Sequence, residues 1–215
     1  MTQQRWPAVL GSAIAVLASA HPAYEGLLKP DPVAGSTTIA MIVPPPPNPL
    51  KPKGSSGDKV YAIAPSEIEG LNAIWRDRPL LIWEGAIAQI EIIDAETGES
   101  LWNQSVLSEN RCMAYTGPSL QPGRSYEWRL CDQFDAVAHL VSFQVLGSED
   151  RERIAVELAV IEAAAKTSGA TPEDIALQRA AYFAEQGLWA EVLQEAFSVE
   201  NASTDLIMLR QMLTS

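Results

Sequence analysis

The chain holds two histidines, two cysteines and 27 acidic side chains, and any chemistry has to be assembled from these. His139 is the one histidine certain to lie in the mature fold, in register with Val141 and Phe143 on an alternating run. As a general base it would have to meet a serine and an aspartate. No Gly-x-Ser-x-Gly turn, which would expose such a nucleophile, occurs, so a structural or surface histidine is expected. Carboxylate pairs such as Glu67 with Glu69 and Asp132 with Asp135 are common in so acidic a chain. Glycosidase chemistry needs two carboxyls about 5–10 Å apart across a cleft, one with a raised pKa, and no spacing selects a pair. Asp94, Glu96 and Glu99 surround Gly98 but lack the five-position oxygen pattern of a dedicated calcium loop, so a hairpin turn is expected there. Two histidines and two cysteines cannot complete a four-ligand zinc site without carboxylates. His21 with a free amine would hold copper only with a further ligand. The expectation is no catalytic residue, no metal and no cofactor.

Cys112 and Cys131 form an even pair, which in an oxidising compartment is a candidate disulfide. Against the bond, Cys131 has the opposite parity to Tyr126 and Trp128. No Cys-x-x-Cys spacing points to redox chemistry. Tryptophans are the other readable chemistry, since an exposed indole stacks on a pyranose. Trp83 and Trp128 are expected in the core. Trp75 precedes a strand and Trp102 follows a turn, so each either lies open as a binding platform or caps an end of the core.

These groups need elements to position them. Met1 to Ala20 reads as a secretory signal peptide: Arg5, an apolar run from Trp6 to Leu17, then Ala18-Ser19-Ala20 before His21. The run is shorter than the roughly 20 residues that span a bilayer, so no integral span is expected after cleavage and the protein would work outside the cytoplasm. Residues 21–59 form a Pro/Gly-rich tether, with Pro44-Pro45-Pro46-Pro47 and Gly54-Ser55-Ser56-Gly57. Within it, 39–43 is apolar enough for a short strand or for docking on the sandwich. Formal net charge is −12, with +2 over residues 1–62 and −7 over each of 63–147 and 148–215. Such acidity argues against nucleic acid as a partner and favours solubility.

From 60 to 147 the apolar period is two: Ala88, Ile90 and Ile92; Tyr126, Trp128 and Leu130; Val141, Phe143 and Val145. Glu96-Thr97-Gly98-Glu99, Gly117-Pro118 and Pro122-Gly123 supply turns, so an antiparallel sandwich is expected. From 148 to 215 the period becomes helical. Ile154, Leu158, Ile161 and Ala165 make one stripe, and Thr171-Pro172-Glu173-Asp174 starts a second helix that Gly187 ends. Trp189, Val192, Leu193, Ala196 and Phe197 mark a third, and Leu206, Leu209 and Leu213 a fourth. Short joints predict antiparallel hairpins.

Leu120-Gln121-Pro122-Gly123-Arg124-Ser125-Tyr126 resembles the tyrosine corner of fibronectin type III domains. In that motif the tyrosine hydroxyl bonds a backbone group just upstream. Arg78-Pro79-Leu80-Leu81-Ile82-Trp83 is similar to such a domain's second strand, with Trp83 as its core aromatic. Ala180-Ala181-Tyr182-Phe183 followed by Gly187-Leu188-Trp189 is similar to a tetratricopeptide unit, with Val192 where that family has a small residue. The implied fold class is all-β plus all-α: a fibronectin type III-like antiparallel β-sandwich followed by a small tetratricopeptide-like helical hairpin domain. The combination resembles uncharacterised bacterial envelope proteins. Trp83, Tyr126, Trp128, Pro122, Gly123 and Gly187 are then structural.

The resemblance implies a non-enzymatic adaptor or scaffold that holds an envelope protein or peptide on its helices, with Tyr182 and Gln186 near the concave side. A carbohydrate- or cell-wall-binding module using Trp75 or Trp102 is the alternative, and a hydrolase the remote one.

Overall fold

The computed structural model describes residues 59–214 apart from 69 and 108. The expected signal peptide and the expected tether as far as residue 58, with His21 and the 39–43 run, lie outside the described residues, as does Glu69. Eight strands come first: β1 (Tyr61–Ala64), β2 (Ala73–Ile74), β3 (Leu80–Glu84), β4 (Gln89–Asp94), β5 (Ser100–Ser105), β6 (Cys112–Ala114), β7 (Ser125–Cys131) and β8 (Val137–Val145). Four helices follow: α1 (Ser148–Thr167), α2 (Pro172–Glu185), α3 (Trp189–Ser198) and α4 (Thr204–Thr214).

The strands form an antiparallel sheet in the order β1-β3-β6 and a mixed one in the order β2-β8-β7-β4-β5, where β2 runs parallel to β8. Alternation fixes which side chains meet. Ile90, Ile92, Tyr126, Trp128, Leu130, Val141, Phe143 and Val145 are all buried, whereas Gln89, Glu127, Arg129, Ser142 and Gln144 between them are not. Trp83 from the three-stranded sheet and Trp128 from the five-stranded one join the same buried cluster, and Trp128 Nε1 donates to the Pro65 carbonyl at 3.1 Å.

Register places the connections. Gln89 of β4 pairs with Ser105 and Cys131, and Tyr61 with Glu84. The β3–β4, β5–β6 and β7–β8 links and the approach to β1 therefore share one end of the sheets, the loop end. At the opposite end Pro122-Gly123 turns the chain into β7. The Gly123 N–H donates to the Val145 carbonyl at 3.0 Å, and the Tyr126 hydroxyl accepts from the Gln121 N–H at 2.7 Å. Only two residues beyond β8, α1 starts at this same end.

Each helix buries a stripe set by its 3–4 spacing: Ile154, Leu158 and Ala165 on α1, Leu177, Ala180 and Phe183 on α2, Val192, Leu193 and Ala196 on α3, and Leu206, Leu209 and Leu213 on α4. Thr171 and Asp174 cap α2 reciprocally. Gly187, at φ +72°, closes its far end in a conformation that an L side chain resists. Arg210 of α4 donates to the Ala196 and Val199 carbonyls at the end of α3, at 2.8 and 2.6 Å, and so caps it from outside. Among the described residues no helix is long and apolar enough to cross a membrane.

Candidate functional site

A polar cluster lies where the strand region meets α3. The start of α3 has no side-chain cap of its own, and the Gly70 carbonyl takes its place, accepting from the Trp189 N–H at 2.7 Å. Gly70 sits at φ +83°, and a Cβ there would come within 2.7 Å of Trp189 Cδ1 and 2.8 Å of the Gly187 carbonyl. One turn on, Glu191 is 1% exposed. Its carboxylate accepts from the Trp75 N–H at 2.8 Å, the Arg76 N–H at 3.0 Å and Arg76 Nη1 at 2.7 Å. Glu195, 3% exposed, joins Arg76 to Arg179, and Arg179 reaches Glu162 on α1. Gln194 completes the row by accepting from the Leu80 N–H at 3.0 Å.

Burial by itself would raise the Glu162 carboxyl, but Arg179 and Lys166 outweigh it and hold the group below the usual carboxylate range. Arg179, whose charge burial disfavours, is held fully protonated by Glu195 and Glu162. Every buried charge here has a partner, and the row spans β-side and helix-side residues, so the two parts are locked together. The carboxylates and guanidinium groups of this row are taken up by one another and by backbone N–H groups, while beside it Arg151 Nε is buried without a hydrogen-bond partner.

Several sequence expectations need correction or placement. Tyr182 does not face an open groove: it is buried, and its hydroxyl donates to Glu157 at 2.8 Å because α1 lies over that side of α2. Gln186 is exposed at the end of α2, with Arg153 Nη1 at 3.5 Å from its amide oxygen. Trp75 is half-buried at the lock: its Nε1 donates to the Arg151 carbonyl at 3.1 Å and its ring lies 5.8 Å from that of Phe183. Trp102, on β5, donates to Thr116 Oγ1 at 3.2 Å and stands edge-on to Tyr115 at 5.2 Å. Trp83 and Trp128 are fully buried.

The candidate disulfide is not formed. Cys112 and Cys131 are both free, and they lie on strands of different sheets. Cys131 is nevertheless buried, because the β7–β8 register shifts between Leu130 and Cys131 and breaks the alternation. Burial raises both thiols, which therefore stay protonated at neutral pH. His139 is half-buried beside Val141 and Phe143, and burial lowers its pKa against the opposing pull of Glu67.

The Asp94 carboxylate accepts from the Glu96 and Thr97 N–H groups, both at 3.0 Å, and is bridged to Glu96 by Arg124. The Thr97 N–H bond is the main reason its pKa falls. The group serves the hairpin. Among the described residues no three His, Cys, Asp or Glu side chains converge as a metal site would require.

The loop end has a different character. Asp132 accepts from the Phe134 and Ala136 N–H groups at 2.8 and 3.0 Å, and Asp135 takes φ +62°. This small network fixes the β7–β8 turn and holds the Phe134 ring 79% exposed. Leu107, in the β5–β6 link, is 65% exposed at the same end, and Val137, the first residue of β8, is exposed as well. Sequence reasoning missed Phe134, although an aromatic ring inside Asp132-Gln133-Phe134-Asp135 is a signal in itself, since turns rarely need one. It also missed Arg76, Glu191 and Glu195. Their trace was a pair of glutamates four residues apart on the apolar side of α3, among Val192 and Ala196.

No protein-family model matches the chain, and no curated protein is significantly similar to it in sequence.

Proposed function

We propose that this chain is a non-enzymatic interaction protein of the bacterial envelope, working outside the cytoplasm, whose contact surface is the loop end of its strand region. The observation that carries the reading is Phe134, presented to solvent on a turn whose backbone Asp132 fixes. An exposed aromatic side chain on a fixed backbone has only two side-chain torsions to order when a partner covers it, and aromatic anchors carry much of the energy of protein interfaces. Leu107 and Val137 are further exposed apolar side chains at the same end.

A fibronectin type III-like sandwich is supported by the sheet orders β1-β3-β6 and β8-β7-β4-β5, which follow the two-sheet division of immunoglobulin-type folds. It is supported too by the bond between Tyr126 and Gln121. In antibody variable domains, which share this architecture, the loops gathered at one end bind the partner. A tetratricopeptide-like character for the helices is supported by each helix packing on the next in sequence. The Ala18-Ser19-Ala20 sequence after an apolar run supports export. A second reading, a carbohydrate-binding module, draws on Trp102, half-exposed on the edge strand β5.

Capture from an envelope extract tests the first reading. Immobilised protein from His21 onward should retain a stoichiometric protein partner, and the Phe134→Asp variant should not. If both retain cell-wall glycan and no protein, and Trp102→Ala releases it, the second reading replaces the first.

A further inference from the structure

Helix α1 is apolar on two opposite sides. Ile154, Leu158, Ile161 and Ala165 face the rest of the molecule. Across the helix, Ala155, Val156, Ala159, Val160 and Ala163 are all exposed, with Val156 and Val160 at 67% and 66%. A solvated helix normally carries polar residues there. Exposed Glu152 and Lys166 bound the outer stripe. At 100° per residue, positions 152 to 166 of the stripe lie within one arc, and its N-terminal end, at Glu152 and Ala155, borders a cleft of about 290 Å³ that Trp75, Pro122 and Arg151 also line.

We infer that this stripe is the seam of a two-fold symmetric, antiparallel homodimer in which α1 packs against α1 of a second copy. Spacing and charge choose that occupant. Glu152, Ala155, Ala159, Ala163 and Lys166 follow intervals of 3, 4, 4 and 3, which read the same in both directions about Ala159. A two-fold axis at Ala159 sets Ala155 opposite Ala163 of the second copy and Glu152 opposite its Lys166, twice over. A parallel pairing would instead oppose glutamate to glutamate and lysine to lysine.

Alanines along the centre permit an interaxial distance near the short end of the roughly 8–10 Å range for packed helices, while Val156 and Val160 close over one flank. Lys166, which pairs with Glu162 of its own chain at 3.4 Å, is 66% exposed at its side chain and free to turn to the second copy's Glu152. The surface is distinct from the Phe134 tip, so dimerisation stands or falls independently of partner capture.

Sedimentation velocity across a concentration series tests the inference on the whole secreted chain. A reversible dimer is expected. Ala159→Glu would set two carboxylates against each other at the axis and weaken the dimer by at least about tenfold, with unchanged circular dichroism because the site is exposed. Glu152→Lys and Lys166→Glu should each weaken it, and the double exchange should restore it, since the antiparallel pairs then re-form with signs reversed. Ala159→Cys should cross-link copies through its own position under mild oxidation. A monomer at every concentration overturns the inference. So does a dimer indifferent to Ala159→Glu, which would place the contact elsewhere, at the Phe134 tip or at exposed Ile207 and Met208 of α4. Failure of the double exchange to rescue overturns the antiparallel arrangement.

Discussion

The α3 junction and the loop end use the same kinds of residue in opposite ways. At the junction, acidic side chains are buried, each has a partner, and the apolar rings of Trp75 and Phe183 face one another. At the loop end, acidic Asp132 caps backbone N–H groups and thereby leaves an apolar ring uncovered. A buried carboxylate without partners would cost several kcal/mol, so evolution of a dry junction forces saturation. An exposed ring carries no such constraint. Paired polar groups hold this molecule together at the junction, and the contact surface proposed above is where apolar groups stay uncovered.

Breaking the junction should have the largest effect. Glu191→Ala leaves the Arg76 guanidinium with Glu195 alone and orphans two backbone N–H groups, with an expected loss of about 3–5 kcal/mol. A thermal melt should then fall by roughly 6–20 °C, and Glu191→Gln, which keeps an acceptor, should fall less. Gly70→Ala forces a side chain into a left-handed conformation against Trp189, with an expected cost of about 1–3 kcal/mol from the backbone alone. Its effect should appear as faster amide exchange at the start of α3.

Acid should loosen the fold in two steps. His139 has a pKa lowered by burial, so its contribution to stability is complete above the ordinary value of 6.5 and is lost as pH falls below that value, through the depressed value of the folded state. Glu162 and Asp94 have lowered pKa values, so their contribution is complete above the ordinary values of 4.5 and 3.8 and is lost as pH drops below them. A pH series of melts should show both limbs, and His139→Asn should remove the first.

Tyr126→Phe removes one hydrogen bond to an exposed turn and should cost about 1 kcal/mol. Phe134→Ser should change stability by less than about 0.5 kcal/mol, since the ring touches little, yet abolish partner capture. That last pairing sharpens the contrast most, because it separates what is offered from what holds.

Much of the architecture was legible because it is local. The two-residue period of Ile90 and Ile92 and of Tyr126, Trp128 and Leu130 specifies half-buried strands. Thr171-Pro172 and Gly187 mark the ends of α2 by backbone preferences that act within a few residues. What stayed hidden is long-range. Arg76 and Glu191 are 115 residues apart, and a glutamate on a helix reads as solvated until its partner is known. The two-residue β2 is too short to show a period. Cys131 misleads through a register shift that only its pairing with β8 reveals. Tyr182 looked available because nothing local says that α1 will cover it. The outer stripe of α1 was present in the sequence as a second set of apolar positions, masked by the alanines it shares with any good helix former.

A photo-activated cross-linking residue placed at position 134, and separately at 186, in cells that export the protein would test the central claim most directly. A discrete protein adduct is expected from position 134 and none from 186. Adducts from 186 with none from 134 would contradict that claim and move the contact surface to the helices.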